Sequence, residues 1–136
     1  MVMTDTELGE YDDEQVQMMK ENCILVDEND TIIGNDSKVS CHLGEGKLHR
    51  AFSVLLFNSK NELLIQKRAA EKITFPSIWA NSCCSHPLFL DDEKKGIDGA
   101  RVAAKRKMIQ ELGIDENEID IQKLNFITRM HYKARA

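Results

Sequence analysis

Residues 98–113 read DGARVAAKRKMIQELG, and this stretch decides the fold class. Apolar side chains recur at a spacing of four, the period of one helix face: Ala104, Met108 and Leu112. Asp98 can cap the amino end and Gly113 can end the helix, so we predict a helix over 98–112. Three basic side chains are expected on its solvent side: Arg101, Lys105 and Arg106.

Strand patterns surround this helix. Residues 23–27 and 31–34 flank a turn and predict a hairpin. Two further strands are expected at 50–57, which is apolar enough for burial on both faces, and at 62–68. Strand-like stretches at 119–129 complete an α/β or α+β layered domain.

The rest of the chain is predicted to be less regular. Residues 35–46 are expected to form an irregular loop. Residues 1–11 are predicted to be a flexible tail and 12–136 the domain, which opens with a short amphipathic helix at 12–20.

Composition narrows the range of possible functions. The chain has 136 residues, enough for one domain, and a net charge of −5, which argues against general nucleic-acid binding. Four cysteines, two of them adjacent, are expected to be reduced thiols. The sequence shows no targeting segment and no membrane-spanning run. We therefore expect a soluble cytoplasmic protein that binds neither nucleic acid nor membranes. The sequence does not predict an oligomeric state.

Residues 73–87, ITFPSIWANSCCSHP, combine two thiols, an imidazole and the only tryptophan in what we predict to be a loop. Such side chains on a loop favour a functional site. The alternative is that the cysteines and the tryptophan fill the core.

His42, His49 and His86 are candidate ligands of a divalent metal, unless each is separately a surface or core residue. Glu111, at the end of the helix, can hold a hard cation such as Mg²⁺, although spacing alone favours an ordinary surface pair with Lys107. A structural zinc site that joins Cys83, Cys84 and His86 to Cys41 and His42 is disfavoured, because the usual two-residue spacing between thiols is absent.

A diphosphate clamp of three cations is a further candidate: Lys38, Arg68 and Lys72. The alternative is that these charges are simply solvated. Cys84 is a candidate nucleophile or proton-transfer group. These residues together indicate a metal-dependent enzyme for a small phosphorylated substrate, and the reaction type stays open.

Six blocks of sequence match one family: CHL (41–43), LHRAFS (48–53), QKR (66–68) with KITFP (72–76), NSCCSHP (81–87), ELG (111–113) and TRMHYKA (128–134). Through them, residues 15–134 resemble type I isopentenyl-diphosphate isomerase. The resemblance implies a Nudix-type α/β fold, a mixed sheet with flanking helices. It also implies interconversion of isopentenyl and dimethylallyl diphosphates, with an isoprenoid diphosphate as the small-molecule partner.

The resemblance assigns roles to residues. Cys84 matches the proton-transfer thiol and Tyr132 a tyrosine beside the catalytic acid. Matches to metal ligands are His42, His49 and His86, with Glu111 as the Mg²⁺ ligand. Matches to substrate contacts are Lys38, Arg68, Lys72 and Ser85, with Lys107 as a basic residue near the phosphates. The implied cofactor is Mg²⁺, with Mn²⁺ or Zn²⁺ as alternatives at the histidines.

Two departures qualify the resemblance. Arg106-Lys107 and Gln110-Glu111 stand where a Nudix hydrolase carries an Arg-Glu and a Glu-Glu pair, which disfavours hydrolysis. The family also continues past the position of Tyr132 into a Trp-Gly-Glu-x-Glu segment that supplies the catalytic acid. We therefore expect an N-terminal portion, truncated at its carboxyl end and inactive alone. The alternatives are a Nudix-type diphosphate hydrolase and a non-catalytic metal-binding fragment.

Overall fold

A computed structural model describes residues 21–71 and 76–134. The elements in these ranges are β1 (Asn22–Val26), β2 (Ile32–Ser37), α1 (Lys38–His42), β3 (Phe52–Val54), β4 (Ile65–Lys67), β5 (Trp79–Asn81), β6 (Cys83–Ser85) and α2 (Gly96–Leu112). Two 3₁₀ turns follow, at Glu116–Glu118 and Ile121–Lys123. The predicted tail and the predicted helix at 12–20 lie outside the described residues.

The strands of the described ranges form three antiparallel pairs: β1 with β2, β3 with β6, and β4 with β5. The prediction that helices and strands are combined in this chain is confirmed. The expected mixed sheet is not present in these ranges, because every pair is antiparallel and each sheet has two strands.

The β1–β2 hairpin is confirmed, and its turn depends on two aspartates. The Asp27 carboxylate accepts hydrogen bonds of 2.9 Å from the backbone N–H groups of Asn29 and Thr31. Asp30 adopts the left-handed conformation (φ 63°), which aspartate tolerates better than most side chains. The turn brings β2 back along β1, where Cys23, Ile24 and Val26 are buried.

The prediction of an irregular loop at 35–46 is wrong for its first eight residues. Residues 35–37 continue β2 opposite residues 22–24 of β1. Ser37 then caps α1, because its hydroxyl accepts a 3.1 Å hydrogen bond from the Ser40 N–H. The end of β2 was concealed by residues of low strand propensity, Asn35, Asp36 and Ser37, and α1 is only five residues long.

The strand predicted at 50–57 is shorter and less buried than expected. Only Phe52–Val54 pair as β3, and Leu55 and Phe57 are 42% and 53% exposed. An apolar run implies burial on both faces in a covered parallel sheet, whereas β3 lies in a two-stranded antiparallel pair.

The loop predicted at 73–87 contains two strands, β5 and β6, separated by the fully buried Ser82. The Ser82 hydroxyl donates to the Leu64 carbonyl at 2.6 Å and accepts from the Leu56 N–H at 2.9 Å. Its own carbonyl accepts a 2.9 Å hydrogen bond from the Gln66 side chain. Residues 73–75 of this stretch are outside the described ranges.

Helix α2 is confirmed, with its start two residues earlier than predicted. Asp98 lies in the first turn, where it pairs with Arg101 at 2.8 Å instead of capping the helix. Gly113 ends the helix in the left-handed conformation (φ 66°), and its N–H donates to the Ile109 carbonyl. The buried face includes Ala103, Ala104 and Met108.

Arg101, Lys105 and Arg106, predicted on the solvent side, are half-buried, and the Arg106 guanidinium pairs with the buried Glu93 at 2.8 Å. The strand prediction at 119–129 is wrong. Asp120 caps a 3₁₀ turn by accepting from the Gln122 N–H, and the chain beyond it to residue 134 has no regular structure. Among the described residues, no helix combines the length and apolarity needed to cross a bilayer.

Candidate functional site

Three histidines from separate segments meet in space. His42 ends α1, His49 lies between α1 and β3, and His86 directly follows β6. Their ring centroids are 4.7 to 5.4 Å apart, and one potential ligand atom of each lies within 4.8 Å of the others. We call this group the histidine cluster.

Backbone carbonyls fix the rings of two members. Nδ1 of His42 lies 2.6 Å from the Lys38 carbonyl, and Nδ1 of His49 lies 2.6 Å from the Lys47 carbonyl. A carbonyl can only accept, so each Nδ1 carries the hydrogen and donates it. Each Nε2 is then left with the lone pair that a metal requires.

The third member is held differently. Nδ1 of His86 is buried and has no hydrogen-bond partner among the described residues. Burial, reinforced by the nearby cations Lys38 and Lys107, holds the pKa of His86 well below its usual value. Atoms packed around His42 lower its pKa as well, although it lies at the exposed edge of the cluster. Neutral rings are the form that binds metal.

The cluster fits a divalent cation. Tetrahedral zinc, with Zn–N distances of about 2.0–2.1 Å, places its nitrogen ligands roughly 3.3 Å apart. Ligand atoms that already lie within 4.8 Å of one another need only small ring movements to reach that spacing. The orphaned Nδ1 of His86 and the two fixed tautomers agree with this donor set.

A small pocket, with a free volume of about 10 Å³, lies beside the cluster. Its lining includes three of the predicted substrate or phosphate contacts, Lys38, Ser85 and Lys107, together with His86, Arg106 and one carboxylate, Glu21. Lys107 pairs with Glu111 and Arg106 with Glu93, so the charges around the pocket are largely compensated. The roles of the three predicted residues remain predictions.

The two faces of β6 carry the adjacent cysteines. Successive side chains of a strand point to opposite sides, so Cys83 and Cys84 cannot share an environment. Cys83 faces α2 and is fully buried. Cys84 is only partly buried and lies opposite Ser53 of β3.

Cys83 lies in an apolar and anionic environment. Its Sγ is 3.7 Å from Oε2 of Glu111, whose Oε1 is 3.5 Å from Nζ of Lys107. Burial, followed by the negative charge of Glu111, raises the pKa of Cys83 to about 12. The thiol is therefore protonated at neutral pH and shielded from solvent.

Glu111 is predicted as an Mg²⁺ ligand, and it lies outside the histidine cluster. The alternative pairing with Lys107 is present, but as a buried pair, since only 6% of the Lys107 side chain and 17% of the Glu111 side chain are exposed. Its metal role stays a prediction.

Cys84 lies on the more open face of the strand. Its Sγ is 3.3 Å from the Ser53 hydroxyl, which accepts a 3.0 Å hydrogen bond from the Asn81 side-chain amide. Ser53 and Asn81 are both exposed. A thiol with a hydroxyl neighbour and access to solvent can exchange a proton.

Two predicted residues lie apart from the pocket lining. Arg68 ends the β4–β5 ladder, where its backbone pairs with Ile78 and Ser77 at 2.7 and 3.0 Å. Tyr132 is 73% exposed in the irregular segment near the end of the described residues. Lys72 falls outside the described ranges.

Sequence reasoning missed four polar residues near the site: Ser53, Asn81, Glu93 and Arg106. Ser53 and Asn81 belong to the matching blocks 48–53 and 81–87, so the blocks did contain a signal. Glu93 stands in a run of acidic residues that looks like a solvated turn, and nothing local marks it as buried.

No protein-family model matches this chain. Among curated proteins, it is similar to the isopentenyl-diphosphate delta-isomerase of Aspergillus fumigatus, at 51% identity over 94% of this chain and 49% of the relative. The protein of the same name from Gibberella zeae is 51% identical over 93% of this chain and 54% of the relative.

A mammalian relative gives the same result. Isopentenyl-diphosphate delta-isomerase 1 of Bos taurus is 49% identical over 98% of this chain and 62% of its own length. The chain thus spans about half to three fifths of the length of the curated relatives it matches. The chain belongs to the isopentenyl-diphosphate delta-isomerase family.

Proposed function

We propose that this protein takes part in the interconversion of isopentenyl diphosphate and dimethylallyl diphosphate, a step of isoprenoid biosynthesis. The observation that carries the proposal is the histidine cluster beside a small pocket lined by two lysines, in a chain about half identical to proteins named for that activity. Because the chain spans only part of those relatives, activity and substrate are both proposals.

The histidine cluster would hold the cation. His42, His49 and His86 offer neutral nitrogen ligands, which suit Zn²⁺ or Mn²⁺, and Mg²⁺ would bind through carboxylate oxygen such as that of Glu111. A bound cation supplies fixed positive charge that stabilises anionic groups nearby. The protein supplies the rigid ring positions described above.

The pocket would take the diphosphate, and it would have to widen to do so, because its free volume of about 10 Å³ holds about one water molecule. Lys38, Lys107 and Ser85 line it, and their side chains can donate hydrogen bonds to phosphate oxygens. Lys107 already pairs with Glu111, so the diphosphate would compete with that carboxylate. Arg68, at the end of the β4–β5 ladder, and Lys72, which is outside the described ranges, remain proposed contacts of the same group.

Cys84 would move protons. The reaction adds a proton to the terminal alkene carbon and removes one from the carbon on the far side of the double bond, so the proton count is unchanged. Cys84 adjoins Ser85 of the pocket, and its neighbour Ser53 can orient the thiol. Tyr132 is proposed to assist the acid on the opposite side.

The wider setting belongs to the same proposal. A Nudix-type arrangement of the sheet and a cytoplasmic location are what family membership suggests. The small antiparallel sheets and the single long helix of the described residues are compatible with part of such a fold.

Isomerisation in D₂O tests the proposal. Isopentenyl diphosphate is incubated with a chimera in which this chain replaces the matching segment of the Aspergillus fumigatus relative, and with the 136-residue chain alone. We expect deuterium in dimethylallyl diphosphate from the chimera and none from the chain alone. A folded chimera without turnover would contradict the proposal.

Phosphate release is followed in the same samples. Release without isomerisation would replace the isomerase proposal with hydrolysis of the diphosphate. Metal binding without either reaction would leave a metal-binding role only.

A further inference from the structure

Pro87 is fully buried. The backbone groups on either side of it are hydrogen-bonded to the two members of one ion pair. On one side, the Arg106 guanidinium donates a 3.3 Å hydrogen bond to the His86 carbonyl. On the other, Oε1 of Glu93 accepts a 3.1 Å hydrogen bond from the Leu88 N–H. The segment that carries His86 is therefore fixed on both sides of the proline.

The two holding side chains are fixed to each other. Nε and Nη2 of Arg106 lie 3.0 and 2.8 Å from the two carboxylate oxygens of Glu93. This fork geometry fixes the orientation of both groups as well as their distance. The Glu93 side chain is only 3% exposed, so its charge is compensated by the arginine and the Leu88 N–H.

Helix α2 sets the position of Glu93. A Cβ atom added at Gly99, in the first turns of the helix, would lie 2.3 Å from the Glu93 carbonyl oxygen. The helix therefore packs directly on the Glu93 backbone, and its later residue Arg106 reaches back to the Glu93 side chain. Both contacts tie α2 to the segment that follows β6.

His86 depends on such support more than its neighbours do. His42 and His49 have their rings fixed by hydrogen bonds from Nδ1 to carbonyls, whereas Nδ1 of His86 has no partner among the described residues. Its ring direction must come from its backbone and from packing. The backbone is what Arg106 and Glu93 hold.

We propose that Glu93 and Arg106 are positioning residues, which set the direction of the His86 ring so that it can complete a divalent-cation site with His42 and His49. The inference rests on the proposed metal role of the histidine cluster. It adds that the third ligand is oriented through its main chain by a buried ion pair.

Zn²⁺ titration of the 136-residue protein by calorimetry tests this. Arg106→Gln removes the guanidinium fork, and we expect a loss of about 10- to 100-fold in Zn²⁺ affinity, the usual range for residues that orient metal ligands. Glu93→Gln keeps an oxygen for the Leu88 N–H but loses the charge, so a smaller loss is expected.

Arg101→Gln is the matched control. Arg101 lies on the same helix and also joins a carboxylate, Asp98, to a backbone carbonyl, that of Leu124, both at 2.8 Å. It has no contact with His86. We expect a smaller drop in melting temperature for Arg101→Gln, because it leaves the exposed Asp98 unpaired whereas Arg106→Gln leaves the buried Glu93 unpaired. The change in Zn²⁺ affinity for Arg101→Gln should be less than about twofold.

A second measurement separates positioning from folding. With Co²⁺ in place of Zn²⁺, the visible spectrum reports ligand geometry, and we expect Arg106→Lys to alter it in protein whose circular dichroism is unchanged. Lysine can pair with Glu93 but cannot also fork to the His86 carbonyl. This variant serves if Arg106→Gln fails to fold.

The outcomes are distinct. If the unchanged protein binds Zn²⁺, His86→Ala loses it, and Arg106→Gln binds as Arg101→Gln does, the positioning role is overturned while the metal site stands. If the unchanged protein binds no Zn²⁺, the proposed metal site and the positioning role are both overturned.

Discussion

The two sides of β6 show how one strand can give the same side chain opposite properties. Cys83 is buried against α2, beside the carboxylate of Glu111, and its pKa rises to about 12. Cys84 is adjacent in sequence but lies on the more open side, beside the Ser53 hydroxyl. The alternation of the strand, rather than the residue type, decides which thiol can react.

The comparison also shows where polar chemistry is placed. On the buried side, the ionic groups compensate each other, since Lys107 pairs with Glu111 and Arg106 with Glu93. On the open side, Ser53 and Asn81 are neutral and exposed, and one hydrogen bond of 3.0 Å joins them. Neutral, exposed neighbours allow a thiol to change its protonation state, whereas a buried network of paired charges resists such a change.

Removal of the Cys84 thiol is expected to have the largest effect. In the chimera, Cys84→Ala should lower isomerase activity by at least about 100-fold, the usual contribution of a proton-transfer group. Cys83→Ala is the matched control and should stay within about threefold if the fold is retained. The rate of deuterium incorporation measures the activity of both variants. Equal losses would contradict the assignment of different roles to the two thiols.

Alkylation should separate the thiols without any need for activity. At pH 8, a thiol with a pKa of about 12 is ionised in roughly one molecule in ten thousand, and Cys83 has no exposed surface. We expect iodoacetamide to modify Cys84 at least about tenfold faster, as peptide mass spectrometry would show. Faster modification of Cys83 in folded protein would contradict the assignment of the two faces.

Neutralising Glu111 should act on the buried side alone. Glu111→Gln removes the anion that helps to raise the pKa of Cys83, so that pKa should fall and Cys83 alkylation at pH 10 should rise by about threefold to tenfold. Burial remains, so the value should stay above the ordinary one. Cys84 alkylation in the same sample is the internal control and should not change.

Ser53→Ala is expected to have the smallest effect. The hydroxyl is exposed and contacts Cys84 at 3.3 Å, so its loss should change chimera activity by only about twofold to fivefold. Unfolding in urea should show a stability change below about 0.5 kcal/mol, as for other surface changes. A loss as large as that of Cys84→Ala would make Ser53 part of the reacting group.

Local signals explain which elements could be predicted. The β1–β2 hairpin and α2 follow from turn residues, apolar spacing and a terminal glycine, which act over short distances. Strands β5 and β6 could not be found, because Asn81, Ser82 and the two cysteines have weak strand preference and pair only when β3 and β4 are in place.

Some features of the site could likewise be predicted from local sequence, and others could not. Three histidines can be selected by residue type and matched blocks, yet only the fold shows that they converge. Arg106 was predicted to face solvent because helical spacing does not reveal Glu93, which reaches it from a segment 13 residues earlier. Long-range ion pairs leave no local pattern.

Ser82 has a consequence for motion. Its hydroxyl and carbonyl connect the segments that contain Leu56, Leu64 and Gln66, so none of the three can separate without breaking a bond to one buried residue. Amide protons around β3, β4 and the β5–β6 junction should therefore exchange with solvent as one cooperative unit. The strand that carries Cys84 opens together with this unit and not by itself.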